Sequence, residues 1–388
     1  MLNELNQRNK IVYFVTSLDY GGTQKNLYYI VKELKNYKWD IIVISLKKGG
    51  RYRDKIISLG IKVYDLGLPE NFSFLSLFFL IYSFTKFIFL CVKHQIKIVH
   101  SFLFQANFLA RFVKIFLPKT KVFCSERVAE KQKLWQLKLL RFTKFLVDKI
   151  FVNSTELKEF VLNTQKIHND KVVIVPNIVE PNEINIKFSD SEIRDELGIS
   201  KKDFFVLSVG RLHKQKGFDL LIEIVKNFNE KVKSLSCERK YVFVIIGDGK
   251  EYFNLLNYAK KLNVKEYIKF LGYKENVYDY INACDLFLLT SYWEGSPNVV
   301  LESIVLKKPI ISTKVEGVSE ILDINFVISL QQTREKIVEE FVNKIFEVYS
   351  SEENFDYKKC LSEKFCIENY LSKNVVKKYL LNYVDNII

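Results

Sequence analysis

The sequence is poor in residues that interrupt regular structure and in the patterns that build metal or disulfide sites. Only 6 of its 388 residues are proline and 14 are glycine, and no tract of biased composition predicts a disordered arm. The 6 cysteines are scattered, without a Cys-x-x-Cys pair or framework spacing. This pattern disfavours a zinc site and indicates a reduced compartment. The three-glycine dinucleotide fingerprint is also missing, so an NAD site is not supported.

What the chain does contain is apolar residues in the proportion of a folded protein. It is 48% hydrophobic and 27% charged. A chain of this length exceeds what one core holds, so two domains are expected.

The charge is distributed unevenly. Residues 1–190 contain 30 Lys/Arg and 16 Asp/Glu, whereas residues 191–388 contain 29 of each. The net charge of +14 therefore belongs to the first half. It indicates an anionic partner there, which could be nucleic acid, an anionic membrane surface or a phosphorylated substrate.

Apolar β-branched runs alternate with longer helical patterns along the chain. The first half contains the runs IVYFVTS, DIIVISL, IKVYDLG, IKIVHSF, KVFCSE, DKIFVNS and KVVIVPN. The second contains FFVLSVG, YVFVIIGDG, YIKFLGY, DLFLLTS and PIISTK. Continuous apolar runs predict strands covered on both faces, hence an α/β protein with doubly wound parallel sheets.

A polar segment over residues 178–200 predicts the junction between two such Rossmann-like domains. We expect an N-terminal domain over 1–185 and a C-terminal domain over 186–369. A helix at about 370–388 is expected to cross back to the first domain. Ligands should bind in a cleft formed by the carboxyl ends of both sets of strands.

The first residues resemble neither a signal peptide nor a membrane anchor, because acidic and amide residues precede the first apolar stretch. The segment Phe72–Val92 is nearly apolar over a membrane-spanning length. A buried helix of the α/β domain is favoured, a helix lying in the membrane interface is the alternative, and a true span is least favoured.

Three motifs at predicted strand–helix junctions could hold a ligand. In the first, Gly21 and Gly22 follow a strand and open a helix, so backbone amides and the helix dipole could meet an anion. In the second, Arg211 and Lys216 follow the strand FFVLSVG, where a guanidinium and an ammonium could neutralise a pyrophosphate. Gly247, in the next strand–helix turn, permits close approach of backbone to a ligand.

The third motif is SYWEGSPNVVLES, with Glu294 in a loop and Glu302 on the following helix. Their separation is at most about 12 Å at 1.5 Å per residue. That spacing suits the two ends of one elongated ligand better than a hydrolytic carboxylate pair, whose members lie about 5–10 Å apart. The amides of Ser296, Asn298 and Val299 at the helix start could hold phosphate between the two acids.

Together these motifs resemble glycosyltransferase family 4, whose members are retaining, nucleotide-sugar-dependent enzymes of the GT-B fold. The resemblance includes enzymes of bacterial surface polysaccharides and lipid-linked glycans. It rests on the Gly-Gly turn, VGRLHKQKGFDLLI, IIGDGKE, ACDLFLLTSYWEGSPNVVLES and VEGVSEIL. The Glu-x7-Glu element is the most specific part.

The resemblance implies roles residue by residue. Glu294 would support the donor sugar and Glu302 the ribose hydroxyls. Arg211 and Lys216 would take the pyrophosphate, and Gly22 would approach the same phosphates. The other residues implied in the donor site are Gly21, Gly247, Gly295, Ser296, Asn298 and Val299.

In the first domain the resemblance implies a catalytic histidine, His100, at a strand end near the donor sugar, with a core histidine as the equal alternative. Glu126 and Arg127 would contact the acceptor. The sequence departs from the family pattern at Arg127, where many members have histidine, and at Gln24, where an acid is frequent.

The chain contains no Asp-x-Asp motif, so the resemblance implies a transferase that needs no metal and no cofactor. The leaving diphosphate would help to deprotonate the incoming hydroxyl, because no side chain is obviously placed as a nucleophile.

The implied partners are a nucleotide-sugar, most simply a UDP-sugar, and a glycan or polyprenyl-linked acceptor. The basic N-terminal domain would contact an anionic membrane surface, which indicates a cytoplasmic protein peripheral on the inner face of the membrane. The alternatives are a GT-B sugar-nucleotide epimerase or hydrolase and a basic nucleic-acid-binding protein, although no nucleic-acid motif supports the latter.

Overall fold

The computed structural model describes residues 9–69, 74–130, 133–235, 239–351 and 355–385. The chain forms two compact units. Residues up to Ile178 together with those from Cys366 onward form the N-terminal unit, and Val179–Phe365 forms the C-terminal unit. The division falls a few residues before each of the boundaries expected from the sequence.

The N-terminal unit is built on one sheet of seven parallel strands. The strands are β1 Lys10–Val15, β2 Asp40–Ser45, β3 Lys62–Asp65, β4 Ile98–Phe102, β5 Lys121–Ser125, β6 Lys149–Val152 and β7 Val172–Ile174. Their order is β3-β2-β1-β4-β5-β6-β7, so the winding direction reverses between β1 and β4. All seven correspond to apolar runs found in the sequence.

Helices cover both faces of this sheet. They are α1 Gly22–Leu34, α2 Arg51–Ser58, α3 Phe74–Lys93, α4 Phe104–Arg111, α5 Val113–Phe116, α6 Leu134–Phe142, α7 Thr155–Gln165 and α14 Ser372–Val384. Alternate residues of β1 enter two cores: Tyr13 packs in the core that includes α1 and α14, and Phe14 in the core that includes α3 and α4. The continuous apolar runs therefore reflect burial on both faces.

The C-terminal unit has six parallel strands. They are β8 Phe204–Val209, β9 Tyr241–Ile246, β10 Ile268–Phe270, β11 Leu286–Leu289, β12 Ile310–Thr313 and β13 Val327–Ile328. Their order is β10-β9-β8-β11-β12-β13. The sequence predicted five of them, and β13 was missed because two residues are too few for a periodic signal.

Within the described residues of this unit, six α-helices accompany the sheet. They are α8 Asp190–Leu197, α9 Phe218–Ser234, α10 Tyr252–Lys261, α11 Val277–Ala283, α12 Asn298–Val305 and α13 Arg334–Ser350. Local sequence explains the ends of α8: Ser189 and Glu192 form a capping box, and Gly198 ends the helix in the left-handed conformation. Both units confirm the predicted doubly wound parallel architecture.

Helix α3 contains most of the apolar segment Phe72–Val92, whose residues 72 and 73 lie outside the described ranges. One face of α3, including Phe87 and Leu90, is buried against the sheet. The opposite face, including Phe78 and Phe89, is exposed. Among the described residues, no helix is both long and apolar enough to cross a membrane.

A buried polar cluster holds α14 on the N-terminal unit. Tyr383 of α14 hydrogen-bonds His100 Nδ1 of β4, and its hydroxyl lies 3.3 Å from that of Tyr13. His100 Nε2 lies 2.8 Å from the Ser125 hydroxyl. Burial, and then the charge of Arg127, hold the pKa of His100 well below its usual value. The native cluster therefore contains a neutral imidazole.

We expect the N-terminal unit to lose stability in acid through His100. Since the pKa of His100 is lowered in the fold, its contribution is complete above about pH 6.5 and is lost as pH falls below it. Each proton taken up on unfolding lowers the free energy of unfolding by about 1.4 kcal/mol for every unit by which the pH falls below this value. Chemical denaturation at pH 5 and pH 7.5 should show this slope in the wild type and a reduced slope in His100→Gln.

His94 is the matched control, because its pKa is also lowered, mainly by burial and then by Lys62 and Lys93, but less strongly. His94→Gln should retain most of the slope. An unchanged slope in His100→Gln would contradict the neutral buried imidazole.

Candidate active site

The carboxyl edge of the C-terminal sheet brings together four loops, one after each of β8, β9, β11 and β12. Strands β8 and β11 are neighbours in the sheet although β9 and β10 lie between them in sequence. The winding direction reverses between them, which makes this the topological switch point where open α/β sheets bind ligands.

Backbone hydrogen bonds join the loops after β8 and β9. The Gly210 amide donates to the Ile246 carbonyl at 2.9 Å, and the Leu212 amide to the Asp248 carbonyl at 2.9 Å. Arg211 lies between these anchors with its side chain exposed and no ion pair to any residue in the described ranges. Its guanidinium can therefore turn to an anionic ligand without breaking an internal contact.

The loops after β8 and β11 meet at the switch point through Lys216 and Glu294. Lys216 Nζ lies 2.6 Å from Glu294 Oε1, and both side chains are largely buried. The backbones are joined as well: Tyr292 N donates to the Gln215 carbonyl at 2.8 Å, and Thr290 Oγ1 to the Lys216 carbonyl at 3.1 Å. The structure thus places a predicted phosphate-binding lysine directly on the predicted sugar-binding acid.

Three residues that the sequence analysis did not single out position Glu294. Ser291 Oγ donates to its carboxylate at 2.8 Å. Gln215 donates to the Trp293 carbonyl at 2.9 Å and is 3.5 Å from the carboxylate. The Glu294 amide donates to Glu316 at 3.0 Å. All three lie inside the motifs that carry the family resemblance, but sequence spacing does not show which side chains turn toward Glu294.

A second polar cluster braces the same loop. Arg334 at the start of α13 pairs with Glu223 at 2.7 Å and Asp219 at 2.9 Å, and it also donates to the Tyr292 hydroxyl. Tyr292 itself donates to Asp219 at 2.5 Å. Burial, then the hydrogen bond to Asp219, raise the pKa of Tyr292. The hydroxyl therefore stays protonated and remains a donor.

The loop after β12 packs against the turn that contains Gly295. A Cβ at Gly317, which has φ +80°, would lie 2.7 Å from the Gly295 carbonyl oxygen and 2.9 Å from Ser296 Cα. Helix α12 then begins at Asn298, and its N-cap residue, Pro297, makes no side-chain hydrogen bond to it. The predicted residues Gly295, Ser296, Asn298 and Val299 are thus consecutive parts of one turn and helix start beneath Gly317.

Glu302 lies in α12 and is largely buried. Burial raises the pKa of Tyr278 on α11, and the charge of Glu302 raises it further. The two side chains are therefore close. Glu294 and Glu302 occupy different elements, one in the loop and one on the helix, as predicted.

This arrangement can hold an anion beside a carboxylate. An ammonium has three donors, so Lys216 can contact Glu294 and a phosphate oxygen together. Among the described residues, no group of three or more His, Cys, Asp or Glu could hold a metal ion. The expected independence of metal stays a prediction.

In the N-terminal unit, Gly21 and Gly22 lie at the predicted strand-to-helix junction after β1, and both are exposed. A Cβ on Gly21 would meet only the flexible end of Gln24 at 2.5 Å. Gln24 is held there by a 3.1 Å hydrogen bond to the Ser17 carbonyl. The residue that departs from the family pattern therefore covers the Gly-Gly turn.

His100 is not at a strand end, which corrects the expectation. It is the central residue of β4, fully buried, with both ring nitrogens engaged inside the core. The strand continues to Phe102 because the residues after His100 are also apolar or small and buried. This location favours the structural alternative over contact with a sugar.

Glu126 and Arg127 follow β5 and are both buried. Glu126 accepts from Gln165 at 2.6 Å, and burial raises its pKa against the opposing charge of Arg111. Arg127 donates to the Val175 carbonyl at 3.1 Å and to Tyr379 of α14. Both side chains make internal contacts, so their predicted role in acceptor binding gains no support here.

Gly247→Ala should destabilise the C-terminal unit and misplace the loop that carries Arg211. At φ +143°, a Cβ on Gly247 would lie 1.9 Å from the Gly210 carbonyl oxygen. We expect the free energy of unfolding to fall by about 3 kcal/mol, from strain plus overpacking. Urea denaturation measures this loss.

Gly198→Ala is the control for strain alone, because Gly198 has φ +63° and nothing lies within 4 Å of its added Cβ. It should cost about 1 kcal/mol. Equal losses in the two variants would show that the contact with Gly210 is unimportant.

Comparison with known proteins agrees with this geometry. Residues 20–183 match the model for Glycosyltransferase Family 4, and residues 189–359 match the model for Glycosyl transferases group 1. An uncharacterized glycosyltransferase of Methanocaldococcus jannaschii is 31% identical over 176 residues, which are 45% of this chain and 42% of that protein.

A second relative covers more of the chain. The N-acetylgalactosamine-N,N'-diacetylbacillosaminyl-diphospho-undecaprenol 4-alpha-N-acetylgalactosaminyltransferase of Campylobacter jejuni is 28% identical over 315 residues, 78% of this chain and 80% of that protein. Anabaena HepE, crystallised with UDP and glucose, superposes with a TM-score of 0.79 at 17% identity, covering 97% of this chain and 100% of HepE. The chain therefore belongs to glycosyltransferase family 4 and is a glycosyltransferase of the GT-B fold.

Proposed function

We propose that this enzyme transfers a sugar, with retention and without a metal, from a UDP-sugar to a glycan or polyprenyl-linked acceptor. The observation that carries the proposal is the buried contact between Lys216 and Glu294, 2.6 Å, at the switch point of the C-terminal sheet. An ammonium suits the diphosphate of a donor, and a carboxylate beside it suits sugar hydroxyls and a developing positive charge.

Each end of the donor has a group of suitable chemistry. Arg211 and Lys216 take the diphosphate, the guanidinium through paired N–H donors and the ammonium as a compact charge. Glu294 supports the sugar, and Glu302, one helix turn into α12, takes the ribose hydroxyls. UDP is the favoured nucleotide because HepE, which has the same fold, was crystallised with UDP and glucose.

In the proposed reaction, the acceptor hydroxyl oxygen bonds to the anomeric carbon while the bond from that carbon to the diphosphate oxygen breaks. The acceptor proton moves to the departing diphosphate on the same face. Arg211 and Lys216 stabilise the negative charge that develops on the leaving group. Glu294 stabilises the positive charge on the sugar, so no protein nucleophile is needed.

The acceptor class rests on the relatives. The Campylobacter enzyme that covers 78% of this chain is named for a diphospho-undecaprenol acceptor. The 30 Lys/Arg against 16 Asp/Glu of residues 1–190 suit an acceptor at an anionic surface. These observations support our proposal that the enzyme is cytoplasmic and peripheral on the inner face of the membrane.

Glu294→Gln should lower kcat for sugar transfer by about 10²–10³, the usual cost of removing one group that stabilises transition-state charge. UDP affinity, measured by calorimetry, should change much less, since Glu294 serves the sugar. Nucleotide release from a panel of UDP-, GDP- and ADP-sugars identifies the donor. Product analysis with and without acceptor separates a transferase from an epimerase or hydrolase.

The matched control is Glu339→Gln, an exposed carboxylate on α13, which should retain wild-type rates. Wild-type kcat in Glu294→Gln would refute the assignment of the site. Donor turnover that is abolished by a chelator and restored by a divalent cation would refute metal independence.

Arg211→Gln should weaken UDP binding without loss of stability. The guanidinium makes no ion pair with a described residue, so removing its charge leaves no internal partner unpaired. A charge-assisted hydrogen bond contributes about 1.5–3 kcal/mol, which predicts a fall in UDP affinity of at least about tenfold. Calorimetry gives the affinity and thermal unfolding the stability.

Arg239→Gln, which removes another arginine of the same unit, is expected to behave in the opposite way. Arg239 donates to the Lys202 and Tyr349 carbonyls at 2.9 and 2.7 Å, so its loss should lower stability and spare UDP binding. Equal UDP affinity in Arg211→Gln and wild type would remove Arg211 from the site.

A further inference from the structure

Helix α3 has an apolar face on each side, which a helix exposed to water does not tolerate well. Its inner face packs on the sheet. Its outer face exposes large apolar side chains at helical spacing, with Phe78 71% and Phe89 62% accessible. The members of this outer face are Phe78, Ile81, Tyr82, Phe89 and Val92.

An aromatic stripe continues this surface across α4 and α5. Four phenylalanines recur at intervals of four residues: Phe104, Phe108, Phe112 and Phe116. The Phe104 and Phe108 ring centroids are 6.1 Å apart, and those of Phe108 and Phe112 are 5.1 Å apart. Phe84 of α3 packs edge-on against Phe116 at 5.8 Å. The stripe therefore joins α3 directly.

The other end of the stripe meets α6. Trp135 packs edge-on against Phe104 at 5.3 Å and is 57% exposed. Along the same face of α6 and the turn after it lie Lys138, Arg141, Phe142 and Phe145, all exposed. We call the outer face of α3, the stripe and this face of α6 the aromatic surface.

The charge along the helices that form the aromatic surface is mostly positive. Residues 74–146 contain 13 Lys/Arg and 2 Asp/Glu, and one of the two acids, Glu126, is buried. Lys119, Lys138 and Arg141 make no ion pair with any residue of the described ranges. Aromatic side chains and unpaired cations on one surface fit the boundary between anionic headgroups and acyl chains.

We infer that the aromatic surface docks the enzyme on an anionic lipid bilayer by inserting its aromatic side chains between the headgroups. The helices would lie along the membrane, in keeping with the finding that no described helix could span it. This inference rests on the part of the proposed function that names a lipid-linked acceptor. It identifies the surface of the protein that would contact the membrane in which that acceptor is held.

Flotation with lipid vesicles tests the inference on the whole enzyme. Vesicles of phosphatidylcholine mixed with phosphatidylglycerol should carry the wild type, more weakly as salt rises, and vesicles of phosphatidylcholine alone should carry much less. In the double variant Phe142→Ser/Phe145→Ser, the partition coefficient to the anionic vesicles should fall at least about tenfold. These side chains are 78% and 69% exposed, so the fold should be retained.

Lys138→Gln/Arg141→Gln should lose about tenfold or more of binding to the anionic vesicles at low salt, and little at high salt. Phe253→Ser, which removes an equally exposed phenylalanine (73%) from the C-terminal unit, is the matched apolar control. Lys260→Gln/Lys261→Gln, on exposed positions of α10, is the matched charge control. Both controls should bind vesicles like the wild type.

The inference is overturned if the wild type floats with neither vesicle, or if Phe142→Ser/Phe145→Ser binds as the wild type does. It is also overturned if sedimentation without lipid shows a dimer that this variant loses, because the surface would then join two copies of the chain. UDP affinity separates this result from the proposed function. Lost vesicle binding with intact UDP affinity would contradict only the role of the aromatic surface. Absent UDP binding with intact flotation would contradict only the proposed donor site.

Discussion

The ion pair between Lys216 and Glu294 is the interaction on which the candidate site depends. It joins the loops that leave β8 and β11, the two neighbouring strands where the winding of the C-terminal sheet reverses. Ser291, Gln215 and Glu316 contact the same acid or its backbone. A carboxylate held by so many partners has one orientation, and the role proposed for Glu294, stabilising a short-lived charge, requires such a fixed orientation.

The N-terminal unit depends on a different buried polar cluster. Tyr379 and Tyr383 of α14 contact Arg127 and His100 inside the unit, so the last helix of the chain packs on strands formed by its first half. His100 and Arg127 sit at positions where the family resemblance implied catalysis and acceptor contact. In this chain their side chains are engaged in attaching α14.

Burial also explains why the sequence of α3 is compatible with both a buried helix and a helix in the membrane interface. The sheet needs an apolar cover, and the inner face of α3 supplies it. The outer face of α3 is equally apolar and continues into the stripe and α6. Covering the sheet therefore does not explain the apolar residues of this outer face. A basic, aromatic surface on the unit that carries the excess positive charge fits the proposed lipid-linked acceptor.

The sequence by itself determined the class of fold and the family. Continuous apolar runs predicted the parallel strands, and the Glu294 and Glu302 spacing with the basic loop at Arg211 and Lys216 carried the resemblance. Only the tertiary structure decided which side chains meet. It paired Lys216 with Glu294, turned Glu316 toward the site and enclosed His100 in the core, because these contacts join residues far apart in sequence. Local periodicity reports burial of a face and contains no information on such partners.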